Sequence, residues 1–372
     1  MPDAGRFLLS LRYQAIAAHQ EAPLEDEYHK ERNRGKNRMH NTRLADIAKR
    51  TGYSINTVSH ALRNKPDVSE KTKSHILQVA QEMGYIENVA ASYLRSGKSK
   101  SIAIIVGDIS NPHFAIMTKE MEACLRTYGY SAFVLNTDED EELEKRAIMM
   151  SIAKNVDGII MCPVQKTHDN IDFISNVHHI PCVLIGRRFE DRNLSYVICD
   201  DVNGGYVAAE HLLKCNHRNI LFINAPSYVS SSRDREEGVK KAFEVYGIDP
   251  GLLKICGITL MNNAEEIMDL LKKNSDVTGI LCFSDYIALR ICHFLKALGK
   301  RVPEDVSIVG FDDIVSKFYL PLMLTSVTSS KTKMSVNAVN MLMDLINHPK
   351  EKPKQHVLAT KLVERESTIT LY

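Results

Sequence analysis

From residue 102 onward, short unbroken apolar runs alternate with stretches of helical period, and few folds accept that pattern. The runs lie at 102–106, 132–135, 156–161, 182–185 and 197–199, with helical stretches at 113–128, 140–154 and 168–177. A second set follows at 220–223, 254–257, 279–282 and 306–309, with helical stretches near 203–214, 234–246, 264–273 and 285–298. A strand that is apolar on both faces must be covered on both, which is the condition of a parallel sheet with helices above and below it. Two such sets predict two doubly wound α/β lobes with a cleft between them.

In open parallel sheets a ligand binds beyond the carboxyl ends of the strands, so the loops after the runs are the informative positions. These loops are 108–114, Gly186-Arg187-Arg188, 230–235 and Ser284-Asp285. Among their residues, two Arg, one Asp, several hydroxyls and an aromatic ring converge on one side. A polyhydroxylated ligand asks for such a set: Asp accepts from paired hydroxyls, Arg donates a planar fork, and a ring face stacks. Each residue taken singly is also an ordinary loop polar group.

A chain of 372 residues has room for two or three domains, and its 44% hydrophobic and 25% charged residues are an ordinary globular mix. No apolar run approaches the length of a membrane span. The eight cysteines are scattered without a CxxC pair, which fits reduced thiols and predicts neither a disulfide scaffold, nor a structural metal, nor any cofactor. No secretory signal is expected at the N-terminus.

Charge is unevenly spread. Residues 39–98 carry nine Lys/Arg against five Asp/Glu, whereas the whole chain is at +1. A basic module on an otherwise acidic body suits an anionic partner, although a solvated face would look the same. Within it, Leu44, Ile47 and Ala48 form one helical face that ends at Thr51-Gly52. Ser54 caps a second short helix with Val58, Ala61 and Leu62 inside, and Ser69 caps a third that buries Ile76, Val79, Ala80 and Met83. Two short helices around a glycine turn, with a third in support, predict a helix-turn-helix. Residues 1–38 show no stable period and read as a poorly ordered extension, with Met39 a candidate translation start. Residues 88–97 read as a short helix with too little apolar surface to stand alone.

These residues resemble one family. TRLADIA at 42–48, GYSINTVS at 52–59, VSEKT at 68–72, MGY at 83–85 and Asn88 are similar to the DNA-binding head of the lactose/galactose repressor (LacI/GalR) family. SIA at 101–103, NPHF at 111–114, VDGII at 156–160, DVNGG at 201–205, Gly238, Ser284-Asp285, RVPEDVS at 301–307 and GFDD at 310–313 continue the likeness in order, so that it covers roughly 41–370. The resemblance implies an all-α helix-turn-helix head over 39–86 and a hinge helix over 87–98. It also implies a periplasmic-binding-protein-like core over 99–372. With crossovers near 199–200, 304–305 and 331–332, lobe 1 would take 99–199 and 305–331, and lobe 2 would take 200–304 and 332–372.

Carried over residue by residue, the resemblance puts Ile55, Asn56 and His60 against base edges and Ser54, Thr57 and Ser59 near the DNA backbone. It puts Leu94 in the minor groove at the operator centre. Asn suits adenine, and helix N-termini with hydroxyls hold phosphates. Two positions depart from the family: His60 stands where Arg is usual, and Ile55 where a polar or small residue is common. In the core, the resemblance places Phe114, Arg187, Ser231, Arg235 and Asp285, with His113 as a weaker candidate, against a small-molecule effector, a carbohydrate being the expected class. Arg290 stands where the family often has Gly.

The expected function is that of a cytoplasmic transcriptional repressor and not an enzyme. It would act as a homodimer on a near-palindromic double-stranded DNA operator, with no membrane partner, under control of an effector in the interlobe cleft. Whether effector releases or promotes DNA binding stays open at this stage. A solute-binding protein shares the two-lobed core but has no use for residues 42–97. An enzyme would need a nucleophile-base pair, a metal set or a phosphate-binding glycine loop, and none of these stands out.

Overall fold

Residues 42–86, 97–258, 264–314 and 322–372 are described by the computed structural model, which divides the chain into one unit up to Ala91 and another from Ser92. In the first unit, α1 (Leu44–Thr51) begins where the Asp46 carboxylate accepts the Arg43 N–H at 2.8 Å, and it ends at Gly52, whose φ of 76° suits glycine. The second helix, α2 (Ile55–Leu62), starts under Ser54, whose hydroxyl accepts the Thr57 N–H at 3.1 Å. The third, α3 (Glu70–Glu82), starts under Ser69, which accepts from Thr72. Replacing either serine cap by Ala would cost about 1 kcal/mol. The three helices bury Ile47, Val58, Ala61, Ile76 and Val79 in one small core, as their spacing predicts. Met83, expected inside, is half-buried.

The second unit holds two six-stranded sheets. It opens with β1 (Ser101–Val106), α4 (Pro112–Thr127), β2 (Ser131–Asn136), α5 (Glu141–Ala153) and β3 (Gly158–Met161). A short helix, α6 (Asp169–Asp172), runs into the π-helical turn Phe173–His178, and β4 (Cys182–Ile185) and β5 (Ser195–Cys199) follow. Next come α7 (Asp201–Lys214), β6 (Ile220–Asn224), α8 (Ser230–Val245), β7 (Leu253–Gly257), α9 (Ala264–Lys273), β8 (Gly279–Cys282) and α10 (Asp285–Ala297). The chain closes with β9 (Ser307–Phe311), β10 (Thr325–Thr328), α11 (Lys331–Asn347), β11 (Gln355–Leu358) and β12 (Lys361–Val363).

The first sheet runs β11-β5-β4-β3-β1-β2 with parallel neighbours throughout, and the second runs β12-β10-β9-β8-β6-β7, with only the β10–β12 pair antiparallel. All six residues of β1 are buried, the mark of a strand covered on both faces. Every strand expected between 102 and 309 is present.

The expected division of the lobes requires correction. β9 and β10 pair within the second sheet, so residues 307–311 and 325–328 belong to lobe 2. α11 packs Met334, Ala338, Val339 and Leu342 into the core of the first sheet, and β11 extends that sheet beside β5. The chain therefore crosses between lobes after Cys199, after Thr328 and after Leu358. Residues 301–305 form a turn within lobe 2, where Arg301 and Asp305 bond each other through backbone and side chain, and they are not a crossover. The three crossings lie side by side. Cys199 Sγ is 2.7 Å from Ser329 Oγ, the Asp200 N–H donates to Leu358 O at 2.8 Å, and the Thr360 hydroxyl donates to Asp200 O at 3.0 Å.

The extension at 1–38, Met39, and Leu94 with most of the 87–98 segment lie outside the described residues. Among the described residues, no helix is long and apolar enough to cross a membrane.

Candidate functional site

In the first unit the candidates follow from the period of α2. Val58 and Ala61 turn into the core, which leaves Ile55, Asn56 and His60 toward solvent. Ile55 is 52% exposed, an apolar side chain left largely open to solvent at the start of a helix. Asn56 is also exposed, and Ser54, Thr57 and Ser59 lie on or near the same end. The Ser54 and Thr57 hydroxyls are 2.9 Å apart, so part of their bonding capacity is already used. His60 has a partner that the sequence did not suggest: its Nδ1 lies 2.5 Å from Asp67 Oδ2, on the loop leading to α3.

In the second unit, Asn111, His113, Phe114, Glu139, Cys162, Arg187, Ser231, Arg235, Phe283, Ser284 and Asp312 line one cavity between the lobes. Local sequence explains how each side chain arrives. The Asn111 side chain accepts the His113 N–H at 3.0 Å and Pro112 opens α4, so that His113 and Phe114 occupy its first turn. Gly186, at φ 74°, turns the chain out of β4 and delivers Arg187. Ser231 and Arg235 stand on the first turns of α8.

Both arginines are held by carboxylates. Arg187 donates through Nη1 and Nη2 to the two oxygens of Glu139, at 2.7 and 2.8 Å, and through Nη1 to Pro163 O at 2.8 Å. Arg235 donates from Nε to Asp201 Oδ1 at 2.8 Å and also bonds Phe283 O. Its guanidinium lies 3.4 Å from the ring centre of Phe311 and 4.3 Å from that of Phe283, an arrangement that stacks a planar cation between two ring faces. Burial pushes the Asp201 carboxyl up to about 6 against the pull of Arg235. His113 Nδ1 is 3.4 Å from Asp312 Oδ1 and makes no hydrogen bond, and burial pushes its pKa below the ordinary histidine value while Asp312 acts the other way.

Of the core candidates, the structure brings His113, Phe114, Arg187, Ser231 and Arg235 together and leaves Asp285 out of the cavity wall. Asp285 is fully buried. Its Oδ1 accepts the Ser326 hydroxyl at 2.7 Å, and its Oδ2 accepts the Ile314 N–H at 2.9 Å. It ties α10 to the ends of β9 and β10, and its neighbours Phe283 and Ser284 reach the cavity in its place. Four carboxylate and amide residues that sequence reasoning missed, Glu139, Asp312, Asn111 and Asp201, complete the site. Glu139 left no usable trace in the sequence, whereas Asn111 and Asp201 stand in the NPHF and DVNGG runs, and Asp312 in the GFDD run. Asp312 holds a φ of 95°, a backbone state that L side chains rarely adopt and that often marks functional positions.

At the cavity rim the two lobes are bridged directly. The Ser230 N–H donates to Gln165 Oε1 at 2.9 Å, the Arg188 N–H donates to Ser230 Oγ at 3.1 Å, and Arg188 Nη2 donates to Asp234 Oδ1 at 3.1 Å.

A helix-turn-helix followed by this two-lobed core matches known proteins along nearly its whole described length. Residues 43–88 match the model of bacterial regulatory proteins, lacI family, and residues 209–368 match a periplasmic binding protein-like domain. The chain is 33% identical over 318 residues to the HTH-type transcriptional repressor PurR of Haemophilus influenzae (strain PittEE), covering 84% of this chain and 94% of that protein. The chain belongs to the LacI family of bacterial regulatory proteins. Two solved structures agree with its fold. The operator-bound Lac repressor dimer is 24% identical with a TM-score of 0.75, covering 88% of this chain and 99% of that one. A LacI-type regulator from Alkaliphilus metalliredigens complexed with D-xylulofuranose is 26% identical with a TM-score of 0.64, covering 73% and 99%. Like the rest of the LacI family, the chain is a regulatory protein with a DNA-binding head and an effector-binding core, and not an enzyme.

Proposed function

We propose that this LacI-family chain is a cytoplasmic repressor that binds a near-palindromic operator as a homodimer and answers to a carbohydrate held between its lobes. One observation carries the reading: a single chain joins an outward face of Ile55, Asn56 and His60 on a capped helix to a cavity where Phe114, Arg187, Ser231 and Arg235 meet. Asn56 and His60 read base edges, Ile55 packs on the groove, and Ser54, Thr57 and Ser59 hold phosphates. Leu94 of each subunit wedges into the minor groove between the half-sites. Support for the dimer and the operator comes from the Lac repressor dimer on its operator, and support for a sugar from the relative holding D-xylulofuranose.

Control is a population shift. The effector changes operator affinity only as far as it prefers one arrangement of the lobes, and a preference of a few kcal/mol is sufficient. Selection of duplexes from a random pool, followed by footprinting, tests the reading. It should return two inverted half-sites whose affinity falls steeply with salt. Asn56→Ala should weaken operator binding roughly tenfold while leaving random DNA unaffected. An equal loss on both, or no enriched motif, would refute it.

A further inference from the structure

The cavity spends much of its design on a carboxylate that a sugar-binding wall does not obviously need. Glu139 meets Arg187 fork to fork, with both guanidinium nitrogens engaged at 2.7 and 2.8 Å, and the Arg187 side chain is only 8% exposed. Placing it takes two consecutive residues in the left-handed region, Asp138 at φ 49° and Glu139 at φ 56°, neither of them glycine. It also takes a glycine opposite. A Cβ on Gly107, just past the end of β1, would stand 2.2 Å from Glu139 Oε1 and 2.9 Å from its Cδ. Two unfavourable backbone states and one missing side chain thus converge on a single pair of oxygens.

The pair changes what the cavity can accept. Arg187 would otherwise be a ready anion receptor, since its planar fork fits a phosphate or a carboxylate. Its charge is already matched by Glu139, as that of Arg235 is by Asp201, while Asp312 adds a third carboxylate to the wall and holds the Lys331 ammonium on its own carbonyl oxygen. An anionic ligand would have to displace Glu139 or lie beside it in a poorly solvated space where like charges repel. An uncharged ligand meets no such obstacle, because its hydroxyls donate to the free lone pairs of Glu139 and Asp312 and its C–H face packs on Phe114.

We propose that Glu139 is the charge filter of the effector site: by holding Arg187 it admits uncharged polyhydroxyl ligands and turns away phosphorylated or carboxylated sugars. The proposal rests on reading this cavity as a carbohydrate effector site. The test uses the full-length protein and a paired panel: ribose against ribose 5-phosphate, glucose against glucose 6-phosphate and glucuronate, and cellobiose against cellobiose 6-phosphate, each titrated by calorimetry. The wild type should bind at least one uncharged sugar and bind its charged counterpart at least tenfold more weakly. Glu139→Gln should gain at least tenfold for a charged member. Gly107→Ala, which crowds the carboxylate off Arg187 without replacing either residue, should shift preference in the same direction. A wild type that prefers a charged sugar, or two folded variants whose preferences match the wild type, would overturn the filter. If no sugar of either kind binds any of the three proteins while operator binding is intact, the carbohydrate reading itself falls, and the filter with it.

Discussion

His60 and Asp67 are locked together across the turn that follows the second helix, with Nδ1 of the ring 2.5 Å from Oδ2 of the carboxylate. A carboxylate only accepts, so the proton of this bond sits on Nδ1, and in the neutral form of the ring Nε2 is left as an acceptor. The His60 bond also holds the Asp67 carboxyl below its ordinary value. An acceptor facing a base edge pairs with an amino group of adenine or cytosine, whereas an Arg in its place would select guanine. Asp67→Ala frees the ring to change tautomer. Binding to a library of operators with single-base changes should then show discrimination falling roughly threefold to tenfold at one base pair of each half-site and holding at the others. A uniform change across the operator would place Asp67 in overall folding of the head.

The lobes are latched by Arg188 and Asp234, one from the loop after β4 and the other from α8, with a second carboxylate, Glu190, 3.5 Å from Arg188. Asp234→Asn removes the charge of the better-placed partner and so disfavours the arrangement in which the two lobes meet at this pair. Effector affinity should fall about threefold to tenfold. By linkage, operator affinity without effector should move opposite to the change that effector itself produces. Fluorescence anisotropy on labelled operator, with and without effector, reads both quantities. A loss of effector affinity with no shift in the unliganded protein would show that Asp234 contacts the ligand and does not latch the lobes.

The sequence made most of this architecture legible, for identifiable reasons. A run such as 102–106 is apolar on both faces, and only a covered parallel strand satisfies it. Ser54 and Ser69 mark helix starts by their own chemistry, and Arg187 and Arg235 are found by rule because they follow strands. What stayed hidden was tertiary. Whether 307–311 joins the first or the second sheet depends on which edge it pairs with, and both sheets offer equally apolar neighbours. Glu139 lies in the acidic string TDEDEE, which reads as a solvated loop until Gly107 and Arg187 are brought opposite it. Asp285 occupies the expected first turn of α10, but the Ser326 hydroxyl and the Ile314 N–H, both distant in sequence, claim its oxygens.

Asp285 makes stability depend on pH in a direction unusual for a carboxylate. Burial pushes it up to about 8, with Asp312 and Asp313 adding to the rise and the Ser326 and Ile314 bonds opposing it. A carboxyl whose folded value lies above its unfolded value of about 4 keeps a proton that the unfolded chain has released, so its contribution to stability falls as pH rises between the two. Asp201, raised to about 6, acts the same way over the lower part of that window. His113, His211 and His217, which burial holds below the ordinary histidine value, act the other way, so the readout is a difference: from pH 5 to pH 8 the melting temperature of Asp285→Asn, which cannot ionise, should fall less or rise more than that of the wild type. Parallel slopes for the two proteins would show that Asp285 is ionised throughout this range.

The helices that carry Asp201 and Arg235 touch backbone to backbone. A Cβ on Gly238 of α8 would stand 1.9 Å from Val202 O, and one on Gly205 of α7 would stand 2.1 Å from Arg235 O. Neither obstacle is a flexible side chain, so the helices must separate to admit even one methyl group. Gly238→Ala should destabilise the core by about 1–3 kcal/mol, in the manner of an overpacked interior. The same displacement pulls the Asp201 carboxylate from its 2.8 Å bond to Arg235 Nε and unseats that arginine from between Phe311 and Phe283. Loss of stability should therefore come with loss of effector affinity, even well below the melting temperature, while the head, folded around its own core, keeps its helical signature. A variant that melts early yet titrates effector normally at low temperature would separate the two effects and show that the helix crossing does not set the position of Arg235.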